Sequence, residues 1–118
     1  MDAIVIVGLP ASGKSTYIET IKDSAFVMDD FIRVEDLPSV EKLILADPYL
    51  CMDAFRQNIL NALSRLGYKI ELVFYENNPR QCLENAKTRP EKKVEGLIKL
   101  LSVEYHPPWI DRKVFDKQ

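Results

Sequence analysis

Residues Gly8-Leu9-Pro10-Ala11-Ser12-Gly13-Lys14-Ser15 fit the spacing G-x-x-x-x-G-K-[ST], directly after the apolar run Ala3-Ile4-Val5-Ile6-Val7. That run is continuous and β-branched, the pattern of a strand covered on both faces in a parallel sheet. Gly8 ends it. From Lys14 to about Lys22, Tyr17, Ile18 and Ile21 recur at helical spacing, so a helix begins where the loop ends. Gly13 lets the backbone turn so that successive N–H groups face one concavity. Together with the helix N-terminus they make an anion site suited to phosphate oxygens. A glycine turn that merely joined strand to helix would need neither the lysine nor the serine in this register.

The ligand selected by this chemistry is a nucleoside triphosphate, ATP, carried with Mg²⁺. Lys14, packing against nothing, adds a point charge at the β- and γ-phosphates, and the Ser15 hydroxyl is placed to ligate the metal. Thr16 reaches the α-phosphate. Pro10, Ala11, Ser12, Gly13, Lys14, Ser15 and Thr16 are the expected nucleotide contacts.

At 118 residues the chain holds one core, so a single domain spanning 1–118 is expected. Ala25-Phe26-Val27-Met28 predicts a second strand, Leu43-Ile44-Leu45-Ala46 a third, and Lys69 to Tyr75 a fourth. Phe55, Ile59, Leu60, Leu63 and Leu66 mark one helix stripe, which Gly67 stops. Asn78 is a natural N-cap with Pro79 at the first helical position; that helix carries Cys82, Leu83 and Ala86 inward and must break near Arg89-Pro90. Another helix starts at about Glu91, with Val94, Leu97, Ile98 and Leu101 on one face. In the tail, about 103–118, Ile110 to Phe115 is a candidate fifth strand, and His106 and Trp109 are read as packing rather than chemistry. Strands alternating with helices imply an α/β fold, a three-layer P-loop NTPase sandwich with right-handed crossovers around a mostly parallel sheet of four or five strands. Ligands belong at the C-terminal ends of its strands.

Two of those ends carry acids. Asp29 and Asp30 close the second strand, expected beside the first, where one of them can accept a proton from an acceptor hydroxyl. The alternative is that they cap a short helix beginning at Phe31. Asp47 closes the third strand, either as an acid that holds the Mg²⁺ shell or orients Arg33, or as an Asp-Pro turn. Lys87, Arg89, Lys92 and Lys93 crowd a helix junction at about 85–93. They read as a basic lid or as solvated helix ends, and Arg89 is the best candidate to grip two phosphate oxygens.

Cys51 and Cys82 lack CxxC spacing, and His106 is the only histidine, so the cysteines read as buried thiols in a reducing cytoplasm. The N-terminus has no signal-peptide pattern, no apolar run spans a bilayer, and a net charge of −2 argues against broad nucleic-acid binding. A nucleic-acid end held in a small pocket remains compatible.

The loop at 8–16, the Asp29-Asp30-Phe31 turn with Arg33 after it, Asp47, and Asn85 to Arg89 together resemble the P-loop kinases related to bacteriophage-type polynucleotide 5′-hydroxyl kinase. Zeta-toxin and adenylate kinase groups are more distant. The likeness runs to about Leu101. It implies a kinase moving the γ-phosphate of ATP to a hydroxyl on a nucleic-acid end or a small molecule. Asp29 would be the general base, Asp30 and Arg33 would face the acceptor, with Arg33 on its phosphate, and Arg89 would clamp the transferring group. Glu84 stands where that family carries a second lid arginine, and Arg33 falls one residue later than in the family. These departures leave open an ATP-binding module or slow ATPase acting through a partner. A GTPase lacks its N-K-x-D motif here.

Overall fold

The computed structural model describes residues 1–88 and 94–115. Among the described residues four strands are present: β1 (Asp2–Val7), β2 (Phe26–Met28), β3 (Lys42–Ala46) and β4 (Lys69–Phe74). They form one all-parallel sheet in the order β2-β3-β1-β4. The helices are α1 (Lys14–Ile21), α2 (Asp53–Arg65), α3 (Pro79–Ala86) and α4 (Val94–Glu104), with single 3₁₀ turns at Val34–Asp36 and Pro48–Cys51.

Alternation along the strands separates two apolar layers, as the strand period of two requires. Ile6, Ile44, Ala46 and Val73 face Ile18 of α1. Val5, Val7, Leu43, Leu45 and Phe74 face Ile59 and Leu63 of α2, Cys82 and Ala86 of α3, and Ile98 and Leu101 of α4. Helices therefore cover both sides of the sheet, and β3 and β1 are its two interior strands.

Asn78 caps α3 as expected, its side chain accepting from the Gln81 N–H at 3.1 Å with Pro79 following. Gly67, at φ 93°, stops α2 in the left-handed conformation that a glycine adopts without strain. Both cysteines are buried free thiols, and burial pushes Cys51 up to about 12. No described helix is long and apolar enough to cross a membrane.

Three expectations change. β2 is not beside β1; it is an edge strand paired with β3. Its three residues, with Phe26 51% exposed, are too short and too wet for a central position, which the fully buried Leu43-Ile44-Leu45 run takes instead. No helix starts at Phe31, so Asp29 and Asp30 cap nothing; the first turn is the 3₁₀ segment Val34–Asp36, with Arg33 at its cap position. Ile110 to Phe115 is not a fifth strand but makes one parallel bridge, Tyr75 with Arg112, beside β4. Asp111 explains why pairing stops there: its main-chain N–H donates to Phe74 O at 2.8 Å while its carboxylate accepts from the N–H of Phe74 at 2.9 Å and from Trp109 Nε1 at 2.8 Å. A side chain thus replaces the next ladder bond.

Candidate functional site

The loop from Gly8 to Ser15 leaves β1 at the C-terminal edge of the sheet and enters α1. Gly13 has φ 102°, and a Cβ there would lie 2.9 Å from Phe115 Cβ; at Gly8 a Cβ would lie 2.9 Å from Ser12 Oγ. Both glycines are required by close approach, and Gly13 also by backbone conformation. Ala11 is held at φ 63°, a sparsely populated region for a residue with a Cβ.

Most of the loop carbonyls accept hydrogen bonds. Gly8 O and Leu9 O accept from Lys14 Nζ, the latter at 2.8 Å; Ala11 O accepts from Asn85 Nδ2 at 3.0 Å; Ser12 O accepts from the Phe115 N–H at 3.1 Å; and Gly13 O accepts from Tyr75 O–H at 3.3 Å. Ser12 Oγ is buried and has no hydrogen-bond partner among the described residues. Such a buried hydroxyl without a partner is an exception in a folded protein.

Lys14 departs from expectation. It does not stand free: it is buried at 8% exposure and folds back over its own loop onto the Gly8 and Leu9 carbonyls. An ammonium withdrawn from water must find acceptors, and these carbonyls supply two.

Around the loop lies a cavity of about 340 Å³ lined by Pro10 to Ser15, Asp29, Asp30, Phe31, Pro48, Val94 and Leu97. Ser15 Oγ donates to Asp29 Oδ2 at 3.0 Å, so the edge strand β2 delivers its acid to the head of α1 even though β3 intervenes in the sheet. Thr16 is exposed at the start of the same helix.

Asp47 and Arg33 are used differently from expectation. Asp47 is 1% exposed, and both its oxygens are occupied: Oδ2 accepts from the Ile32 N–H at 2.7 Å and Oδ1 from the Tyr49 N–H at 2.8 Å. It does not line the cavity; it caps the 3₁₀ turn and ties down the chain just after Asp29-Asp30. Burial is the main reason its pKa is raised above the ordinary carboxylate value, with the two N–H bonds opposing. The native state thus takes up this proton at higher pH than the unfolded chain does. Stability tied to Asp47 is greatest below the ordinary carboxylate pKa and declines as pH rises through the raised value. Asp47→Asn should cost about 1–3 kcal/mol, because one amide N–H would then face an NH₂ group. Thermal unfolding at neutral pH checks this, and an unchanged Tm removes the cap role. Arg33 is turned to solvent, 71% exposed, with Nε 3.0 Å and Nη2 2.8 Å from Glu35 Oε1; that ion pair raises its pKa further and keeps it away from the cavity.

Of the basic segment, Arg89, Lys92 and Lys93 lie outside the described residues. Lys87 pairs with Glu84 at 3.0 Å on the surface. His106 is exposed, and Trp109 packs edge-on against Phe74 at 4.9 Å.

Two participants escape periodicity arguments. Asn85 is 2% exposed and bonded to the loop, and Phe115 touches it through main chain. Asn85 shares the buried face of α3 with Cys82 and Ala86, and a polar residue within an apolar stripe is a signal of its own beside the resemblance that includes it.

No protein-family model matches the chain. It is similar to a protein of Acanthamoeba polyphaga mimivirus that is named only as uncharacterized, with 32% identity over 110 residues covering 83% of this chain and 79% of that protein. An identity of that level over most of both lengths means that the chain belongs to the same family as this mimivirus protein.

Proposed function

We propose that this chain is an ATP-dependent phosphotransferase on a three-layer P-loop sandwich, moving the γ-phosphate to the hydroxyl of a small molecule or a nucleic-acid end. The observation that carries the reading is the Ser15 to Asp29 hydrogen bond of 3.0 Å inside the loop-lined cavity. It sets an acid beside the loop that would hold the triphosphate, at the C-terminal edge of a parallel sheet, where ligands of such folds bind.

The donor set fits Mg²⁺. Ser15 sends its proton to Asp29, which leaves the hydroxyl lone pairs for a hard cation, and oxygen donors are what Mg²⁺ takes. When bound with the nucleotide, the ion neutralises charge on the β- and γ-phosphates. Loop N–H groups and Lys14 hold those phosphates, with Lys14 exchanging its carbonyl partners for phosphate oxygens. Asp29 uses one oxygen for Ser15 and keeps Oδ1 to take the acceptor's proton as its oxygen bonds to the γ-phosphorus. The bond from that phosphorus to the bridging oxygen breaks in line, and ADP leaves with the electron pair.

Incubation with ATP labelled in the γ-phosphate tests the reading, using 5′-hydroxyl DNA, 5′-hydroxyl RNA, nucleosides and nucleoside monophosphates as acceptors. Label on one acceptor class is the expected result. Label found only in inorganic phosphate would favour a slow ATPase acting through a partner, and no turnover with intact ATP binding would favour a binding module.

A further inference from the structure

We propose that Asn85, together with the main chain of Phe115, is a positioning clamp that aims the Ser12 and Gly13 N–H groups into the phosphate cavity; this rests on the reading of that cavity as a triphosphate site. Asn85 Nδ2 donates to Ala11 O at 3.0 Å and to Phe115 O at 2.5 Å, and Asn85 Oδ1 accepts from Gln81 Nε2 at 3.0 Å. The N–H of Phe115 donates to Ser12 O at 3.1 Å. Both hydrogens of one buried amide are thus spent on joining α3, the phosphate loop and the tail.

The consequence follows from peptide geometry. No peptide bond in the described chain is cis, and in a planar trans peptide the C=O and the next N–H point in opposite directions. Pinning Ala11 O fixes the Ser12 N–H, and pinning Ser12 O fixes the Gly13 N–H. Neither Asn85 nor Phe115 is among the residues lining the cavity, so the carbonyls they hold turn away from it and the two amides turn toward it. Ala11 at φ 63° needs such restraint, since an unheld loop would relax from a conformation that disfavours a Cβ. Gly13 lets the tail come this close, because a side chain there would meet Phe115 Cβ.

Only an amide suits the position. A carboxylate at 85 would face two carbonyl oxygens with no proton to offer, although it could still accept from Gln81. The test is amide NMR of the full chain during titration with Mg²⁺ and inorganic triphosphate. In the unmodified chain the Ser12 and Gly13 amide protons should move strongly downfield along with those of the following loop residues. Asn85→Asp should lose the Ser12 and Gly13 responses, retain that of Ser15, and bind triphosphate about tenfold or more weakly. Phe115→Pro, which deletes only the donor to Ser12 O from the main chain, should lose the Gly13 response, whereas Phe115→Ala keeps that N–H and should respond normally. Arg80→Ala, an exposed position on the same helix outside the clamp, is expected to behave like the unmodified chain. Unchanged Ser12 and Gly13 responses in Asn85→Asp, or equal losses in Arg80→Ala, overturn the clamp. If Asn85→Asp fails to fold, the contrast between the two Phe115 variants decides. An unmodified chain silent to triphosphate overturns the cavity reading first and the clamp with it.

Discussion

Lys14→Ala is expected to weaken Mg-ATP binding by on the order of 10²-fold or more, the scale for deleting one member of a buried, hydrogen-bonded charge pair. The ammonium is held by Gly8 O and Leu9 O. Those carbonyls are weaker partners than phosphate oxygens, so on the phosphotransferase reading the ammonium would exchange them for the phosphates of a bound nucleotide. The same arrangement predicts little loss of stability. Deleting Lys14 leaves two carbonyls short of a donor, but it also removes the cost of burying a charge, and the two terms oppose each other. Lys14→Met should behave like Lys14→Ala in binding while filling the buried volume better. Calorimetry with Mg-ATP beside thermal unfolding checks both halves. Full affinity in either variant would take the ammonium out of the site, and a collapse in Tm for Lys14→Met would make Lys14 a structural residue.

Much of the architecture is local and therefore legible. β1, the glycine turn and α1 follow from one apolar run and one motif, and the Asn78-Pro79 cap fixes the start of α3. Lateral order is not local. The runs at 25–28 and 43–46 look alike as sequences, and only the competition to bury three residues or five decides which lies next to β1. The tail fails as a strand for a similar reason, since Asp111 and Trp109 bond across it without leaving a periodic trace.

The site divides along the same line. Loop residues, Asp29 and Asp30 are brought together as the sequence suggests, because motif and strand ends lie at one edge of the sheet. Asp47 and Arg33 look like site residues in one dimension, but each is satisfied elsewhere, by main-chain amides and by Glu35. Asn85 shows the converse. Its role depends on α3 lying beside a loop 74 positions away in sequence, a contact no spacing rule encodes.

Asp29→Asn should lower phosphoryl transfer by about 10²-fold or more while leaving Mg-ATP affinity nearly unchanged, the usual scale for losing a positioned base. The substitution is informative because of what it preserves. An asparagine carbonyl can still accept the Ser15 hydroxyl at this distance, so the orientation of Ser15 survives and only proton acceptance is lost. Asp29→Ala removes both, and Ser15→Ala removes the hydroxyl itself while leaving the carboxylate in place. In a base mechanism the Asn and Ala variants at 29 share the fall in kcat, and Ala adds a loss of affinity for Mg-ATP similar to that of Ser15→Ala. If Asp29→Asn instead weakens Mg-ATP binding with kcat intact, Asp29 serves the cation rather than the acceptor. If Asp30→Asn carries the kcat effect, the base is the neighbouring carboxylate, which lines the same cavity. Steady-state transfer kinetics for the four variants, with ATP affinity measured separately, distinguish these outcomes, and normal transfer in both Asp29→Asn and Asp30→Asn would leave the cavity without a base and the phosphotransferase reading without its central residue.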